Sequence, residues 1–363
     1  MASVTMKYDL VIVGGGPAGM AAALRAQKEG VRSILLIERE EELGGVLRQC
    51  VHSGFGLFYF GEELTGPQYA ARFIIKIRQS NIDVFVSISV IQLKPYGVLV
   101  LSGEKYGLLE VKAQAVILAS GCRERPLGAI PVTGTRPSGI FTAGMAQKMM
   151  NFGGYEIGKR FVILGSGDIG LIMARQLKLL NRDVLAVIEK EKKCGGLERN
   201  LVQCLEKYHI PLHLRCTVTE IHGKNRITGV TIKNLFNAQE KFLACDTLIT
   251  SIGLIPEREL VEGIYSEGRL PDWLFLCGNA CYVHDSVDDV TLEAEETGSL
   301  AAQFIVRGKI IKKVEHISAR TGNALNSDII CIGCPKACAL TKKDNGFAGA
   351  ACGRKDPVPS YLS

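Results

Sequence analysis

Short apolar runs that lead through glycine-rich turns into helical patterns characterise much of the chain. Residues 8–13 (YDLVIV) and 161–164 (FVIL) are rich in β-branched residues, and each precedes a stretch whose apolar positions recur with helical spacing. Strands that alternate with helices in this way are typical of an α/β fold with parallel sheets.

Other apolar runs extend this pattern. Residues 112–121 and 245–253 end mixed β stretches at a glycine, and we expect each to return the chain to the edge of a sheet. Residues 273–280 have the pattern of a buried strand with a glycine turn, and a helix is predicted from Thr291 onward. This order predicts one domain interrupted by another.

The two glycine turns belong to an internal repeat. Each has the form G-x-G-x-x-G, and the copies begin at positions 14 and 165, which are 151 residues apart. In both copies a second apolar strand ends in an acid 24 residues beyond the first glycine. The repeated residues are Gly14, Gly16, Gly19 and Glu38 in the first copy, and Gly165, Gly167, Gly170 and Glu189 in the second.

The motif suits dinucleotide binding for physical reasons. The first glycine makes a tight turn, the second lets the backbone approach a pyrophosphate, and the third lets helix and strand pack closely. The phosphates then lie at a helix N-terminus, and the acid receives the ribose hydroxyls. Two copies with equal spacing therefore predict two dinucleotide sites, with Pro17, Ala18 and Ile169 as further contacts. The alternative is a pair of glycine turns without a ligand.

Length, charge and cysteine content narrow the class of protein. The 363 residues are about twice the ~150 of a typical domain. The net charge of +6 is spread along the chain, so no nucleic-acid partner is expected. The N-terminus lacks a secretory pattern, and the uncharged run from Leu10 to Leu24 is too short for a membrane span. We therefore expect a cytoplasmic protein without a transmembrane segment, whose 12 cysteines are core thiols or ligands.

Six segments carry a resemblance to a known family. VIVGGGPAG, Glu38, VILASG, VILGSGDIG, SIGLIPE and FLCGNA occur here in the order found in the two-dinucleotide-binding-domain flavoproteins, the pyridine nucleotide-disulfide oxidoreductase superfamily, over roughly residues 7–306. The resemblance implies FAD on the first motif and NAD(P)H on the second. Because Glu189 would repel a 2′-phosphate, NAD(H) is the expected nicotinamide.

The fold that this resemblance implies is α/β. It consists of two Rossmann-like, three-layer ββα domains, the second inserted in the first. The predicted FAD-binding domain covers 1–125 and 255–318, the NAD(P)-binding domain covers 126–254, and a small cysteine-rich module covers 319–363. Further cofactor contacts are expected at Gly45, Gly121, Gly253, Gly278 and Asn279.

Two departures from the family pattern bear on the chemistry. Asn279 stands where the family usually has an aspartate, although an amide can still hydrogen-bond to a flavin. Disulfide reductases of the family carry two closely spaced cysteines, whereas GGVLRQCVHSGFG supplies only Cys50 and the second domain has no C-x-x-C. We therefore expect an FAD-dependent oxidoreductase that is not a dithiol disulfide reductase.

Two segments indicate a narrower relationship. GGVLRQCVHSGFGLFYFGEELTGPQYAARF and CGNACYVHDSVDD resemble the FAD/NAD(P) subunits that accompany anaerobic-type glycerol-3-phosphate dehydrogenases. The resemblance implies a hetero-oligomer in which a separate subunit oxidises the substrate. This chain would then pass electrons between that subunit and a nicotinamide or another acceptor.

Four cysteines lie close together near the C-terminus. Cys331, Cys334, Cys338 and Cys352 have the spacing C-x2-C-x3-C-x13-C. Three close cysteines and one remote cysteine favour a [4Fe-4S] cluster over zinc, which more often uses two C-x2-C pairs. Zinc, and no metal at all, remain alternatives.

Three residues are candidates for a catalytic role. Cys50 and His52 are expected near the isoalloxazine if the family layout applies, and packing beside the flavin is the alternative to a redox or proton-transfer role. His284 precedes a helix whose N-terminus would face the flavin, and the dipole there would stabilise a reduced, anionic flavin. Simple capping of that helix by Asp288 or Asp289 is the alternative.

Two functions follow from these observations. The first is an electron-transfer subunit that carries FAD, NAD(H) and a C-terminal iron-sulfur cluster, in a complex of glycerol-3-phosphate dehydrogenase type. The second is a flavin-containing scaffold whose zinc tail binds partners and which transfers no electrons itself.

Overall fold

The computed structural model of the chain describes residues 5–264 and 270–307. These residues form two units by their contacts. The outer unit contains the chain up to Cys122 and from Pro256 onward, and the inserted unit is Arg123–Ile255. The predicted cysteine-rich module at 319–363 lies outside the described residues.

The secondary structure alternates between strands and helices. The helices are α1 (Pro17–Lys28), α2 (Gly66–Arg78), α3 (Ala143–Gly153), α4 (Asp168–Leu179), α5 (Glu198–Asn200) and α6 (Val287–Arg307). The strands are β1 (Thr5–Val13), β2 (Ile34–Ile37), β3 (Ser53–Phe55), β4 (Leu64–Thr65), β5 (Asp83–Phe85), β6 (Ile88–Lys94), β7 (Val98–Gly103), β8 (Gly107–Leu118), β9 (Cys122–Glu124), β10 (Thr133–Gly134), β11 (Ile140–Thr142), β12 (Arg160–Leu164), β13 (Asp183–Ile188), β14 (Leu212–His213), β15 (Cys216–Gly223), β16 (Ile227–Asn234), β17 (Glu240–Leu243), β18 (Thr247–Thr250), β19 (Leu254–Pro256) and β20 (Leu274–Leu276).

The outer unit is built on one sheet with the order β5-β2-β1-β8-β7-β6, and β20 also pairs with β8. The neighbouring strands β5, β2, β1 and β8 pair in parallel, and β20 pairs in parallel with β8. By contrast, β6, β7 and the first half of β8 form an antiparallel meander. Leu10 and Ile12 pack against α1, α2 and α6 on one face. Val11 and Val13 share the core of the other face with the meander. This alternation is what the period of two in a strand dictates.

The inserted unit repeats this architecture. Its parallel sheet has the order β11-β18-β12-β13-β14, and a second sheet has the order β10-β15-β16-β17. Phe161 and Ile163 pack with α3 and α4 on one face. Val162 and Leu164 pack with the second sheet on the other face. The α/β fold with two Rossmann-like units, the second inserted in the first, is therefore confirmed.

Two local expectations are wrong. The strands at 112–121 and 245–253 do not return the chain to a sheet edge, because β8 pairs on both sides and β18 lies between β11 and β12. The last four residues of β8 (115–118) and all four residues of β18 are buried, as the residues of interior parallel strands are. The last helix begins at Val287, four residues before the predicted Thr291.

None of the helices in the described residues is long and apolar enough to cross a membrane.

Candidate functional site

The first glycine turn connects β1 to α1, and the packing of the chain itself demands two of its glycines. Gly14 has a φ of +112°, and a Cβ there would lie 2.3 Å from the carbonyl oxygen of Ala119. A Cβ at Gly19 would lie 1.8 Å from the carbonyl oxygen of Gly14. These two glycines therefore let the turn form and let helix and strand meet, as the motif predicts.

The middle glycine is different. A Cβ at Gly16 would have a single neighbour within 4 Å, the Cα of Gly45 at 4.0 Å. Gly45, with a φ of +54°, approaches in turn so closely that its own Cβ would lie 3.0 Å from the Cα of Gly16. Packing within the chain does not require a glycine at position 16, so the open space beside it fits a ligand that the backbone must approach. This space suits the pyrophosphate of a dinucleotide at the N-terminus of α1.

Glu38 fixes this turn from the end of β2. Its carboxylate is buried; Oε2 accepts from the Gly15 N–H at 2.8 Å and Oε1 accepts from the Glu40 N–H at 2.9 Å. Two backbone donors hold the carboxylate in one orientation beside the glycine turn. Its role in receiving ribose hydroxyls stays a prediction.

The inserted unit repeats the geometry at an offset of 151 residues. Gly165 has a φ of +101°, and a Cβ there would lie 1.9 Å from the carbonyl oxygen of Ser251. A Cβ at Gly170 would lie 2.7 Å from the carbonyl oxygen of Gly165. A Cβ at the middle glycine, Gly167, would find its nearest neighbour at 3.5 Å, the Ser251 hydroxyl. The space there is again open to a ligand.

Glu189 mirrors Glu38. Its Oε2 accepts from the Ser166 N–H at 2.9 Å and from the Ser166 hydroxyl at 2.5 Å, and its Oε1 accepts from the Glu191 N–H at 2.9 Å. Ser166 and Glu191 occupy the positions of Gly15 and Glu40 in the first copy. Both copies thus contain a buried carboxylate with the same partners.

Sequence reasoning missed a further part of the repeat, a loop after each acid. In the outer unit the Gly44 N–H donates to the Gly15 carbonyl at 2.8 Å. In the inserted unit the Gly195 N–H donates to the Ser166 hydroxyl at 2.8 Å. The signal was available, because Gly44-Gly45 and Gly195-Gly196 are also 151 residues apart. Each loop is thus hydrogen-bonded to the residue that follows the first glycine of its turn.

The remaining predicted cofactor residues fall into two groups. In the outer unit Pro17 begins α1, and a Cβ at Gly278 would lie 2.7 Å from the Cβ of Ala18, so these residues lie beside the first turn. Gly121 follows β8 with a φ of +77° and open space around it. In the inserted unit Ile169 lies in the first turn of α4. Gly253 follows β18 with a φ of +107°.

Asn279 and His284 belong to a polar group at the start of α6. The His284 N–H donates to Asn279 Oδ1 at 3.0 Å, and its ring Nδ1 lies 3.2 Å from the same oxygen. Asn279 Nδ2 donates to Cys122 Sγ at 3.6 Å. Burial lowers the pKa of His284 to about 4. The imidazole is therefore neutral at pH 7.

Cys50 and His52 lie in a different segment, between the Gly45 turn and α2. Cys50 is buried, its Sγ donates to the Val46 carbonyl at 3.3 Å, and burial raises its pKa to about 12. A thiol in this state stays protonated at neutral pH, which favours the packing interpretation over a nucleophilic one. The His52 ring lies 5.0 Å from the Phe55 ring, centroid to centroid.

Asp288 has a role that the sequence did not reveal. It does not cap α6, because the Ser286 hydroxyl accepts from the Asp289 N–H at 3.1 Å and so fills that role. Asp288 is buried instead, and it accepts from the N–H groups of Gly56, Phe58 and Tyr59 at 3.1, 2.9 and 3.4 Å. One carboxylate thus holds the turn between β3 and β4 against α6.

No group of three or more metal-ligating side chains occurs within residues 5–264 and 270–307. The predicted ligands Cys331, Cys334, Cys338 and Cys352 lie outside that part of the chain.

Comparison with known proteins identifies relatives along most of the chain. The family described as pyridine nucleotide-disulphide oxidoreductase matches residues 8–269. The HcnB component of the hydrogen cyanide synthase of Pseudomonas protegens is 28% identical over 305 residues, which cover 76% of this chain and 62% of that protein. Alkyl hydroperoxide reductase F of Staphylococcus aureus is 26% identical over 251 residues, covering 69% of this chain and 47% of that protein.

A solved structure shows the same fold. Thioredoxin reductase of T. acidophilum superposes with a TM-score of 0.66 at 22% identity, over 83% of this chain and 98% of that one. The chain spans between about half and three-fifths of the length of the two curated relatives.

Proposed function

The chain belongs to the pyridine nucleotide-disulphide oxidoreductase family, and from this premise we propose that it is an FAD-dependent oxidoreductase. We propose further that it exchanges electrons with NAD(H) as one subunit of a dehydrogenase complex. The family supports the binding of FAD and a nicotinamide nucleotide. The electron-transfer role and the complex go beyond it.

One observation carries the proposal. Both units have a glycine turn whose first and third glycines serve packing while the middle glycine borders open space. Both turns are fixed by a buried carboxylate with the same two backbone partners. A single glycine turn is common, whereas two of identical construction support two dinucleotide sites.

The residues of the outer unit would hold FAD. Gly16 leaves room for the pyrophosphate, the first N–H groups of α1 would donate to it, and Glu38 keeps the turn in position. When bound there, FAD would supply the chemistry for accepting a hydride from a nicotinamide and for passing the electrons on to an acceptor. Asn279 would contribute an amide group where the family has a carboxylate.

The residues of the inserted unit would hold NAD(H). Gly167 leaves the corresponding space at the N-terminus of α4, and Glu189 brings a negative charge to the end of β13. A carboxylate in this place accepts ribose hydroxyls and repels a 2′-phosphate, so NADH should be preferred to NADPH.

We propose a partner subunit that oxidises the substrate, of glycerol-3-phosphate dehydrogenase type. The resemblance of residues 44–73 and 277–289 to subunits of such complexes supports this partner. The relative in Pseudomonas protegens is itself named as a subunit of a synthase, which supports a role within a larger assembly. We also propose that Cys331, Cys334, Cys338 and Cys352 hold a [4Fe-4S] cluster, with zinc as the alternative metal.

Disulfide reduction is the second candidate function, and the reductases among the relatives favour it. We propose that the described residues do not carry it through a dithiol. The eight cysteines in this part of the chain form no C-x-x-C pair, the spacing that a dithiol of the second unit would need. A dithiol role for Cys331 and Cys334 would be the remaining route.

Anaerobic reduction of the purified chain distinguishes these functions. We expect one FAD per chain, bleaching of its absorbance by NADH, and electron delivery to a one-electron dye without turnover of an aromatic disulfide. NADH-dependent cleavage of the disulfide that disappears in Cys334→Ser would support the second candidate. A chain that binds no flavin would contradict both functions.

A further inference from the structure

A buried arginine lies near the end of the outer unit's parallel sheet. Arg258 is 8% exposed, whereas arginine is rarely buried unless it is paired. Its Nε donates to the Ala280 carbonyl at 2.6 Å. Its Nη1 is buried as well and has no hydrogen-bond partner among the described residues. One nitrogen thus fixes the guanidinium in place, and another still has hydrogens to donate.

The positive charge of Arg258 has no counterpart in the same part of the chain. No carboxylate of residues 5–264 and 270–307 forms an ion pair with it, and the adjacent acid, Glu257, pairs instead with Arg39 at 3.3 Å. A guanidinium stays charged in proteins, and a buried charge is costly unless an opposite charge and hydrogen bonds compensate it. We therefore expect an anion from outside these residues to approach Nη1.

The backbone places Arg258 close to the first glycine turn. The Glu257 N–H donates to the Gly121 carbonyl at 2.9 Å, which attaches this part of the chain to the segment that follows β8. The same segment borders the glycine turn, because a Cβ at Gly14 would lie 2.3 Å from the carbonyl oxygen of Ala119. Arg258 is therefore one residue away from an attachment to a segment that contacts the turn.

The side chain of Arg258 is attached to a second neighbour of the same turn. Ala280, which accepts from Nε, belongs to the short helical turn Gly278–Ala280 that follows β20. A Cβ at Gly278 would lie 2.7 Å from the Cβ of Ala18, in the first turn of α1. The strands β1, β8 and β20 are parallel neighbours, and α/β sheets bind their ligands at the carboxyl ends of such strands. Both attachments thus place Arg258 at the edge of the sheet where the first dinucleotide is expected.

We infer that Arg258 is a further FAD-binding residue, whose Nη1 donates to the pyrophosphate of FAD and neutralises one of its negative charges. This inference rests on the proposed function, which assigns FAD to the first glycine turn. The pyrophosphate is the favoured anion, because Gly16 leaves open space for it at the N-terminus of α1 and because it is charged whether the flavin is oxidised or reduced. The other anion that FAD can provide is a reduced isoalloxazine.

Arg258 would add a full charge to the contacts that the glycine turn offers. The N-terminus of α1 provides backbone N–H groups and a partial positive charge, whereas a guanidinium provides a charge-assisted hydrogen bond. The bond to Ala280 orients the guanidinium before the nucleotide binds, so little side-chain entropy is lost on binding. A buried charge of this kind should strengthen the binding of FAD and destabilise the FAD-free chain.

The variant Arg258→Gln isolates the charge and Nη1. The side-chain nitrogen of glutamine is attached to Cδ, as Nε of arginine is, so a glutamine can keep the hydrogen bond to Ala280. Arg32→Gln is the control, because it removes the same charge from an exposed position of the outer unit. The measurements are the dissociation constant of FAD and the melting temperature of the full chain with and without FAD.

Affinity and stability should respond differently. In Arg258→Gln the dissociation constant of FAD should rise about tenfold or more, because a hydrogen bond from a charged donor is lost. Without FAD this variant should melt at the temperature of the wild-type chain or above it, because a buried charge without an anion has been removed. A lower melting temperature without FAD would show that Arg258 supports the fold itself, which would overturn the inference. An unchanged dissociation constant would overturn it as well.

The reduction potential of bound FAD identifies the anion. The pyrophosphate carries the same charge in both redox states, so Arg258→Gln should weaken the binding of oxidised and reduced FAD equally and leave the potential unchanged. If Arg258 bound a reduced isoalloxazine, the reduced state would lose more affinity, and the potential would fall by about 30 mV for each tenfold difference. Such a fall would refute the assignment to the pyrophosphate.

A measurement on the unaltered chain applies if Arg258→Gln does not fold. ADP carries two linked phosphates but no flavin, and adenosine carries neither. ADP should shift the nitrogen NMR signal of the Arg258 guanidinium in the FAD-free chain, whereas adenosine should not, and Arg258→Lys identifies the signal. A signal that ADP leaves in place would contradict the inference. A wild-type chain that binds no FAD would contradict the proposed function, whereas equal FAD affinity in the wild type and in Arg258→Gln would contradict this inference alone.

Discussion

Single residues in the two glycine turns divide into those that the fold needs and those that a ligand needs. Packing alone requires the first and third glycines of each turn, because an added Cβ would lie within 3 Å of a backbone oxygen at Gly14, Gly19, Gly165 and Gly170. A Cβ added at Gly16 or Gly167 would have only one neighbouring atom within 4 Å, at 4.0 Å and 3.5 Å respectively. Substitutions at the middle glycines should therefore act on binding and leave folding largely intact.

Gly16→Val should lose most of the bound FAD, because the side chain would occupy the path of the pyrophosphate. The measurement is the ratio of flavin to protein absorbance after purification, with the melting temperature as a check on folding. Gly128→Val serves as the control, because Gly128 is exposed and a Cβ there meets nothing within 4 Å. Full FAD retention by Gly16→Val would contradict the assignment of flavin to the first motif.

Glu189→Gln should raise the rate of flavin reduction by NADPH relative to NADH by roughly tenfold, about 1.4 kcal/mol. The substitution removes the charge that repels a 2′-phosphate, while Lys190, Lys192 and Lys193 stay to attract it. Anaerobic stopped-flow rates with both nucleotides provide the measurement. Glu191→Gln, an exposed neighbour in the same loop, should change the ratio little, and equal rates in the wild-type chain would refute the preference for NADH.

At the scale of elements, buried carboxylates connect pieces of chain that are distant in sequence. Glu38 and Glu189 each link a strand end to a glycine turn, and Asp288 links α6 to the turn between β3 and β4, more than 200 residues earlier. Near this turn Tyr59 donates from its hydroxyl to Glu295, and Tyr69 hydrogen-bonds to Thr291. The segment that contains Cys50 and His52 is thus flanked by anchored elements.

Asp288→Asn should destabilise the outer unit by about 1–3 kcal/mol, because an amide cannot accept from the three N–H groups as a carboxylate does. Hydrogen exchange at the amides of Gly56, Phe58 and Tyr59 should accelerate more than at the amides of β1. Asp285→Asn, exposed on the approach to α6, is the control. Unchanged protection of the 56–59 amides would show that the turn does not depend on Asp288.

At the scale of the whole molecule, each unit has its own hydrophobic cores on both faces of its parallel sheet. The four predicted metal ligands lie outside the described residues. In the sequence the second dinucleotide motif ends at Glu189 and the first of these ligands is Cys331, so changes in one should leave the other in place.

Cys334→Ser should lower the iron content of anaerobically purified protein by more than half without removing FAD. Loss of one thiolate opens the coordination of an iron-sulfur cluster, whereas the flavin motifs depend on other residues. Iron and acid-labile sulfide assays, together with flavin content, are the measurements, and Cys204→Ser, at a buried position of the inserted unit, is the control. Stoichiometric zinc without sulfide would refute the cluster.

The sequence by itself determined the parts that are encoded within about 25 contiguous residues. Strand, glycine turn, helix and acid follow one another in both copies, and their geometry depends on local backbone conformation and on glycines without side chains. Tyr8 to Gly19 and Phe161 to Gly170 could therefore be assigned from the printed order of residues alone.

Only the tertiary structure decided how remote segments meet. The interior position of β8, the turn held by Asp288, the approach of Gly45 to Gly16 and the proximity of Glu293 to His284 depend on packing between elements. No sequence pattern indicates the hydrogen-bond partner of a buried acid, because any backbone N–H or imidazole that packing brings within reach can donate to it. Such partners could be identified only in the folded chain, where burial makes a hydrogen bond necessary for a carboxylate such as that of Asp288.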